Sequence, residues 1–399
     1  MRFAFNEEQE GLRTAAHSFL NDHSSPAQVR KIMETEAGYD PEVWRRIGGE
    51  LGWTSVIIPE AYGGVGLGYV ELIALMEEMG SALLCAPFFS TVCLAGNALL
   101  TGGSEEQKQA HLPGIAAGET IATLAFTEAT GRCDASGIEL AASRNGSDFV
   151  LNGTKRFVVD GHTADLLIVV ARRQGSQGQD GISLFVLPAS TPGIERRVLP
   201  TMDQTRKQAE IKFTNVRVPG SALMGNEGDG WSILSPTLDR AAIALSAEQV
   251  GGAQRCLDLS VQYAKERIQF GRPIGSFQAI KHKCADMLLR VESARSASYY
   301  AGWAAAENEP DLPALASLAK AYCSDAYFHC AAESVQIHGG VGFTWEYDVH
   351  LYFKRAKSSE ILLGDAAYHR ELVAQRIGLS SSSKRGPHYS PSPSGRGSG

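Results

Sequence analysis

Several protein classes are excluded by what this chain lacks. Its seven cysteines form no C-x-x-C pair, and their spacing fits neither a zinc site nor a secreted disulfide framework. That predicts a reducing compartment and no bound metal. Charged residues make up only 20% of the chain, and the net charge is −7. This balance argues against a general surface for nucleic acid or for an anionic membrane. No uninterrupted apolar stretch is long enough to span a bilayer. The first residues, MRFAFNEEQEG, are acidic and lack a signal or transit pattern. Together these absences predict a cytoplasmic protein with no membrane and no nucleic-acid partner.

What is present is length and patterning. A chain of 399 residues is too long for one small core and predicts two or three domains. Asn6 followed by Gln9 reads as a capping box, and Leu12, Ala15, Ala16, Phe19 and Leu20 follow at helical spacing. Asp40-Pro41 is a second start signal, with Val43, Trp44, Ile47 and Leu51 as its buried stripe. A turn-rich break covers Pro59 to Gly66, and helical patterning resumes from Val70 to Met79 and from Leu94 to Leu100.

The character changes near Ile121. Phe149 to Leu151 and Lys155 to Val159 flank Asn152-Gly153, which reads as a hairpin turn. Leu166 to Ala171, Ile182 to Leu187 and Glu210 to Phe213 are further strands. From about Trp231 the helical period returns. It runs through Ile243, Ala247, Val250 and Leu257, then Ile280, Cys284, Met287 and Val291, then the alanine-rich stretch from Ala314 to Ala332. The expected domains are 1–120 (helical), 121–225 (β) and 226–379 (helical). A Ser/Pro/Gly tail over 380–399 is expected to be disordered.

Six blocks stand in order across this pattern. They are Pro59 to Gly66; Thr127-Glu128; Leu151 to Lys155; Tyr263 to Ile274 (YAKERIQFGRPI) with Phe277-Gln278; Ala285 to Met287; and Gln336 to Phe343 (QIHGGVGF). Together they resemble the acyl-CoA dehydrogenase family over about residues 3 to 379. The resemblance implies an α+β multidomain fold: an N-terminal helical domain, a middle β-barrel-like domain and a C-terminal four-helix bundle. It also implies FAD as cofactor, an acyl-CoA substrate and an electron-transfer flavoprotein as partner. Because the family's FAD site is shared between subunits, it implies a dimer or a dimer of dimers, with like or unlike chains.

Residue by residue, Arg267 matches the family arginine that meets the FAD pyrophosphate of a neighbouring subunit. A guanidinium fork suits two phosphate oxygens. Gln336, Gly339 and Gly340 match the block whose glycines let backbone approach the cofactor. Phe270 and Gln278 would line the adenosine side. Taken singly, Gly339-Gly340 could be a loop, Phe270 core and Arg267 a solvated charge. In the middle domain the family's T-E-P-x-x-G-S-D run reads Thr127 to Asp134 here. Thr127 keeps the flavin-side hydroxyl. Cys133 stands where a serine serves the coenzyme A or flavin region, either as a redox thiol or as a small buried substitute. Val159 replaces a threonine that often donates to flavin N5, and Phe157 still offers an aromatic face.

The family reaction needs a carboxylate to remove the α proton while the β hydrogen leaves as hydride. Counting without gaps from Gly339, the usual glutamate's place is held by Leu363. A minority of the family carries the base on an earlier helix, just before an arginine, and that place is Asp239. Asp239 is therefore the leading candidate; the alternative is a helix cap or a salt bridge to Arg240. Asp365 is the alternative, and could cap a helix too; Glu360 reads as solvated or paired. Arg240 has a family counterpart that shapes the substrate site. Three functions stay open: a working dehydrogenase, a non-catalytic or half-site subunit of a mixed tetramer, and a flavin oxidase or monooxygenase on the same fold.

Overall fold

The computed structural model describes residues 5–379. The expectation for 380–399 lies outside the described residues. Helices come first. α1 (Glu7–His23) opens on a reciprocal cap: Asn6 Oδ1 accepts from Gln9 N at 2.8 Å, and Gln9 Oε1 accepts from Asn6 N at 2.9 Å. Ala16, Phe19 and Leu20 form its buried stripe. α2 (Pro26–Met33) and α3 (Pro41–Arg45) follow, the latter capped by Asp40. Trp44 and Ile47 are buried as expected, but Leu51 is 38% exposed. The chain passes into a π-turn at Arg46–Glu50, and the wider turn swings Leu51 off the buried face. α4 (Tyr69–Ser81), α5 (Asn97–Gly102) and α6 (Glu105–Ala116) complete this part, with a π-helical segment at Phe89–Gly96.

Eight strands follow: β1 (Ala122–Ala125), β2 (Ala141–Asn145), β3 (Asp148–Val159), β4 (Leu166–Arg173), β5 (Ile182–Pro188), β6 (Ile194–Val198), β7 (Gln208–Val218) and β8 (Leu223–Met224). The sheet runs β6-β7-β3-β2-β4-β5-β8, with β1 parallel to β4. The hairpin expected at Asn152-Gly153 is not there. The β2–β3 turn lies at 145–148, where Asn145 pairs with Asp148 and Gly146 takes φ +66°. Asn152-Gly153 instead makes a bulge against β7, with the register shifting between Leu151 and Gly153. Gly153 has φ +142°, and Asn152 Oδ1 accepts from Asn215 N at 2.8 Å. The dipeptide meets a need for unusual backbone, but inside a strand.

The last third is helical: α7 (Trp231–Glu266), a ribbon of β9 (Ile268–Gln269) and β10 (Arg272–Pro273), then α8 (Gln278–Ala306), α9 (Leu312–His338), α10 (Val349–Ile361) and α11 (Ala366–Arg376). α9 packs against α7, α8, α10 and α11, so the bundle is built around it. α4 crosses α7 backbone to backbone. A Cβ on Gly80 would lie 2.0 Å from Glu248 O, and one on Gly251 1.8 Å from Glu77 O.

Where the three regions meet, charge is buried. Arg206 Nη2 donates to Glu248 Oε1 at 2.5 Å, and Arg355 Nη1 donates to the same oxygen at 3.1 Å. Arg355 Nε reaches Asp203 Oδ2 at 3.0 Å and its Nη2 reaches Thr205 Oγ1 at 2.7 Å. Arg206 also reaches Ser359 Oγ at 3.2 Å and lies 5.4 Å from the Phe89 ring. All four charged side chains are buried. Two cations face two anions, so removing one anion strands the rest. Glu248→Gln should therefore cost roughly 3–5 kcal/mol of stability, read as a lower denaturant midpoint for the flavin-loaded protein; a shift within error would contradict this account of the cluster.

Candidate active site

α7 carries Asp239 in its third turn, on the side that faces α11 and Cys133 of the middle domain. The residue is 6% exposed. Its carboxylate lines a cavity of about 240 Å³ together with Cys133, Trp231, Leu238, Leu363, Tyr368 and Arg376. Arg376, on α11, grips both oxygens: Nη1 lies 2.9 Å from Oδ1 and Nη2 lies 3.1 Å from Oδ2. Burial pushes the Asp239 carboxyl up to about 6, against the downward pull of Arg376.

Leu363 sits in this cavity wall, buried, with φ +63°. A left-handed backbone is strained for leucine and persists only when its surroundings hold it. They do. Lys320 Nζ donates to the carbonyls of Glu360 (3.1 Å) and Gly364 (3.0 Å), and to Ser324 Oγ (2.9 Å). His369 Nε2 donates to Leu363 O at 3.0 Å, while its Nδ1 faces Ser317 Oγ at 3.2 Å. Burial holds the His369 imidazole down to about 3, hence neutral, and lowers the Lys320 ammonium to about 8.

The other carboxylates lie elsewhere. Asp365 is exposed and caps α11, accepting from Tyr368 N at 2.8 Å. Glu360 pairs with Lys357 at 2.9 Å. Arg240 does not pair with Asp239; it bonds Asn308 Oδ1 at 2.6 Å and lies 6.0 Å from the Tyr69 ring.

On the middle-domain side, Thr127 Oγ1 donates to Arg156 O at 2.6 Å. The next residue, Glu128, is joined to fully buried Lys155 at 2.6 Å and accepts from the amides of Glu139 and Leu140. This pair fastens the loop bearing Thr127 to the strand bearing Phe157 and Val159. Phe157 has φ +59° and is 39% exposed, which leaves a ring face open. Val159 is buried and offers no donor from its side chain. Cys133 is half-buried in the cavity wall, and burial pushes its thiol up to about 11. That suits a small filler better than a reactive thiolate.

A second group gathers at the far end of α7. Arg267 is the first residue past the helix. Tyr263, one turn earlier, stacks on His338 with ring centroids 4.3 Å apart, so the Arg267 block adjoins the Gln336 to Gly340 block. Gln278, Gln336, Gly339 and Gly340 are exposed, and Phe270 is 90% exposed. Gly339 takes φ +63° with nothing near its Cα to obstruct a ligand. Among the described residues, Arg267 has no ion-pair partner. A free guanidinium, an exposed aromatic ring and bare glycine backbone fit the pyrophosphate and adenosine of FAD. The 28 positions from Asp239 to Arg267 span roughly 42 Å of helix. The two groups of one chain therefore lie far apart.

Comparison with known proteins accords with this geometry. Residues 6–119, 123–216 and 228–378 match the acyl-CoA dehydrogenase N-terminal, middle and C-terminal domains. The acyl-CoA dehydrogenase IpdE2 of Mycolicibacterium smegmatis is 36% identical over 359 residues, covering 90% of this chain and 95% of that protein. The butyryl-CoA dehydrogenase structure from Megasphaera elsdenii superposes with a TM-score of 0.89 at 31% identity, covering 94% of this chain and 100% of that one. A chain in a solved structure described as the electron transferring flavoprotein of Acidaminococcus fermentans gives 0.89 at 32% identity, over 95% of this chain and 100% of that one. The chain belongs to the acyl-CoA dehydrogenase family, whose members are FAD-dependent oxidoreductases. No described helix is long and apolar enough to cross a membrane.

Sequence reasoning missed Arg376, Lys320 and His369. No local signal marks Arg376, which stands 137 positions from the carboxylate it grips (376 − 239). Lys320→Met should free two loop carbonyls and cost about 1–3 kcal/mol for each buried group left unpaired. The check is amide hydrogen exchange, which should quicken at 361–365 relative to the rest of the bundle. Unchanged protection there would contradict the role given to Lys320.

Proposed function

We propose that this chain oxidises an acyl-CoA thioester to the trans-2-enoyl-CoA, with Asp239 as the base. The carrying observation is a buried carboxylate on a cavity wall that also holds Leu363, the usual place of the family's glutamate. The thioester enters past Cys133, its α carbon facing Asp239. Burial excludes water and raises the basicity of the carboxylate towards the working range. Asp239 takes the α proton onto a carboxylate oxygen. Arg376 balances its charge before transfer, and Leu363 keeps the far wall apolar. Phe157 and Thr127 would hold the ring portion of FAD, which when bound supplies the hydride acceptor. Arg267, Phe270, Gln278, Gln336, Gly339 and Gly340 would hold the adenosine-pyrophosphate portion belonging to a neighbouring subunit. That division supports a dimer or a dimer of dimers. An electron-transfer flavoprotein is the proposed acceptor of the electrons, in line with the description of the Acidaminococcus structure. We place the activity in the cytoplasm.

One observation favours a second reading. Val159 gives the ring portion no side-chain donor, and Thr127 already donates to Arg156 O. A chain with weakened ring contacts and an intact Arg267 group could serve chiefly to complete the site of an unlike partner in a mixed tetramer.

Anaerobic mixing with a panel of acyl-CoA thioesters separates the two. On the first reading the purified chain is yellow and one thioester bleaches it. Asp239→Asn keeps the flavin spectrum but slows bleaching about 10²–10⁴-fold, while Asp365→Asn stays close to the parent. Undiminished bleaching by Asp239→Asn would overturn the assignment. A chain that is colourless alone, and gains flavin with a partner chain, supports the second reading.

A further inference from the structure

The proposed base does not stand alone, and what holds it comes from the last described helix. Arg376 Nη2 donates to Asp239 Oδ2 at 3.1 Å, and its Nη1 lies 2.9 Å from Oδ1. The same guanidinium is itself held. Nη1 donates to Ser317 Oγ at 2.8 Å and to Pro313 O, both near the start of α9. Ser317 is fully buried. The carboxylate of α7 is thus fixed through α11 against α9, on the wall of the 240 Å³ cavity.

We infer that Arg376 is a positioning residue for α-proton removal: it aims the short Asp239 side chain into the cavity and keeps its carboxylate ionised in a site where burial favours the neutral acid. The inference rests on the reading of Asp239 as base. Aspartate is one methylene shorter than glutamate, so its reach depends on which way it is turned. Nη2 donates to one oxygen and Nη1 lies 2.9 Å from the other, and the two contacts together set that direction.

No other group in the cavity touches both oxygens. Arg240, on α7, is engaged with Asn308 and touches no oxygen of Asp239, although its charge adds a smaller downward pull on that carboxyl. From α11, Tyr368 is held protonated, its phenol pushed up to about 12 by burial, and His369 is held neutral. From the middle domain, the Cys133 thiol is likewise protonated. Arg376 is therefore the larger of two cationic influences opposing the cost of burying the negative charge, and the one in contact with it; a guanidinium keeps its own charge at any working pH.

The test uses the flavin-loaded full chain, together with any partner chain it requires. Anaerobic flavin reduction by a reactive acyl-CoA is timed across pH for the parent, R376Q, R376K and D239N. The parent's rate should rise with pH through about 6 and then level. Removing an opposite charge at this distance should move that limb of R376Q up by about 1–3 units. R376K should keep the limb near the parent's, because charge remains. It should still lose rate, because an ammonium cannot bridge both oxygens and Ser317 together. An R376Q limb at the parent's pH, with D239N inactive, would overturn the inference while leaving Asp239 as base. Full activity in D239N would instead overturn the assignment on which it rests. Should R376Q fail to fold, R376K decides alone: parent-like rate and limb would overturn the positioning role, whereas a slowed rate on an unmoved limb supports it.

Discussion

The structure depends on one buried set of charges. Arg206 and Asp203 come from the middle domain, Glu248 from α7 and Arg355 from α10, and they meet where α4 lies backbone to backbone on α7. Charges removed from water hold a position only if each finds its partner. This set therefore ties α7 and α10 to the middle domain at one junction. Asp239 lies nine positions before Glu248 on the same helix (248 − 239), so its location relative to Phe157 and Cys133 is inherited from that junction.

α7 then acts as a ruler. One end presents a buried carboxylate to a small cavity; the other ends in a bare guanidinium beside exposed glycines and Phe270. A helix of this length keeps the two apart within one chain. Leu363 keeps a left-handed backbone, tied down by Lys320 and His369, and the proposed base, Asp239 on α7, has a counter-ion in Arg376.

Much of this was legible in the chain. The Asn6/Gln9 and Asp40 caps, the buried stripes of α7 and α9 and the strands of the middle domain are local patterns, and periodicity reports them. Asn152-Gly153 misled because glycine signals a backbone conformation and not its location. A bulge and a turn ask for the same residue. Leu51 misled because a π-turn breaks the 3.6-residue count. The bond from Asp239 to Arg240 that adjacency offered is not made; Arg376 takes that place. That pairing, like the junction of Arg206 with Glu248 and Arg355, is set by tertiary contact between distant segments, about which a single chain's spacing is silent.

The direct measurement is loss of α-deuterium from a labelled acyl-CoA to water, followed on the flavin-loaded protein without oxygen. It reports proton removal apart from electron transfer. If Asp239 is the base, the parent and Asp365→Asn wash the label out at similar rates, and Asp239→Asn retains it. Washout by Asp239→Asn at the parent's rate would mean that another group takes the proton.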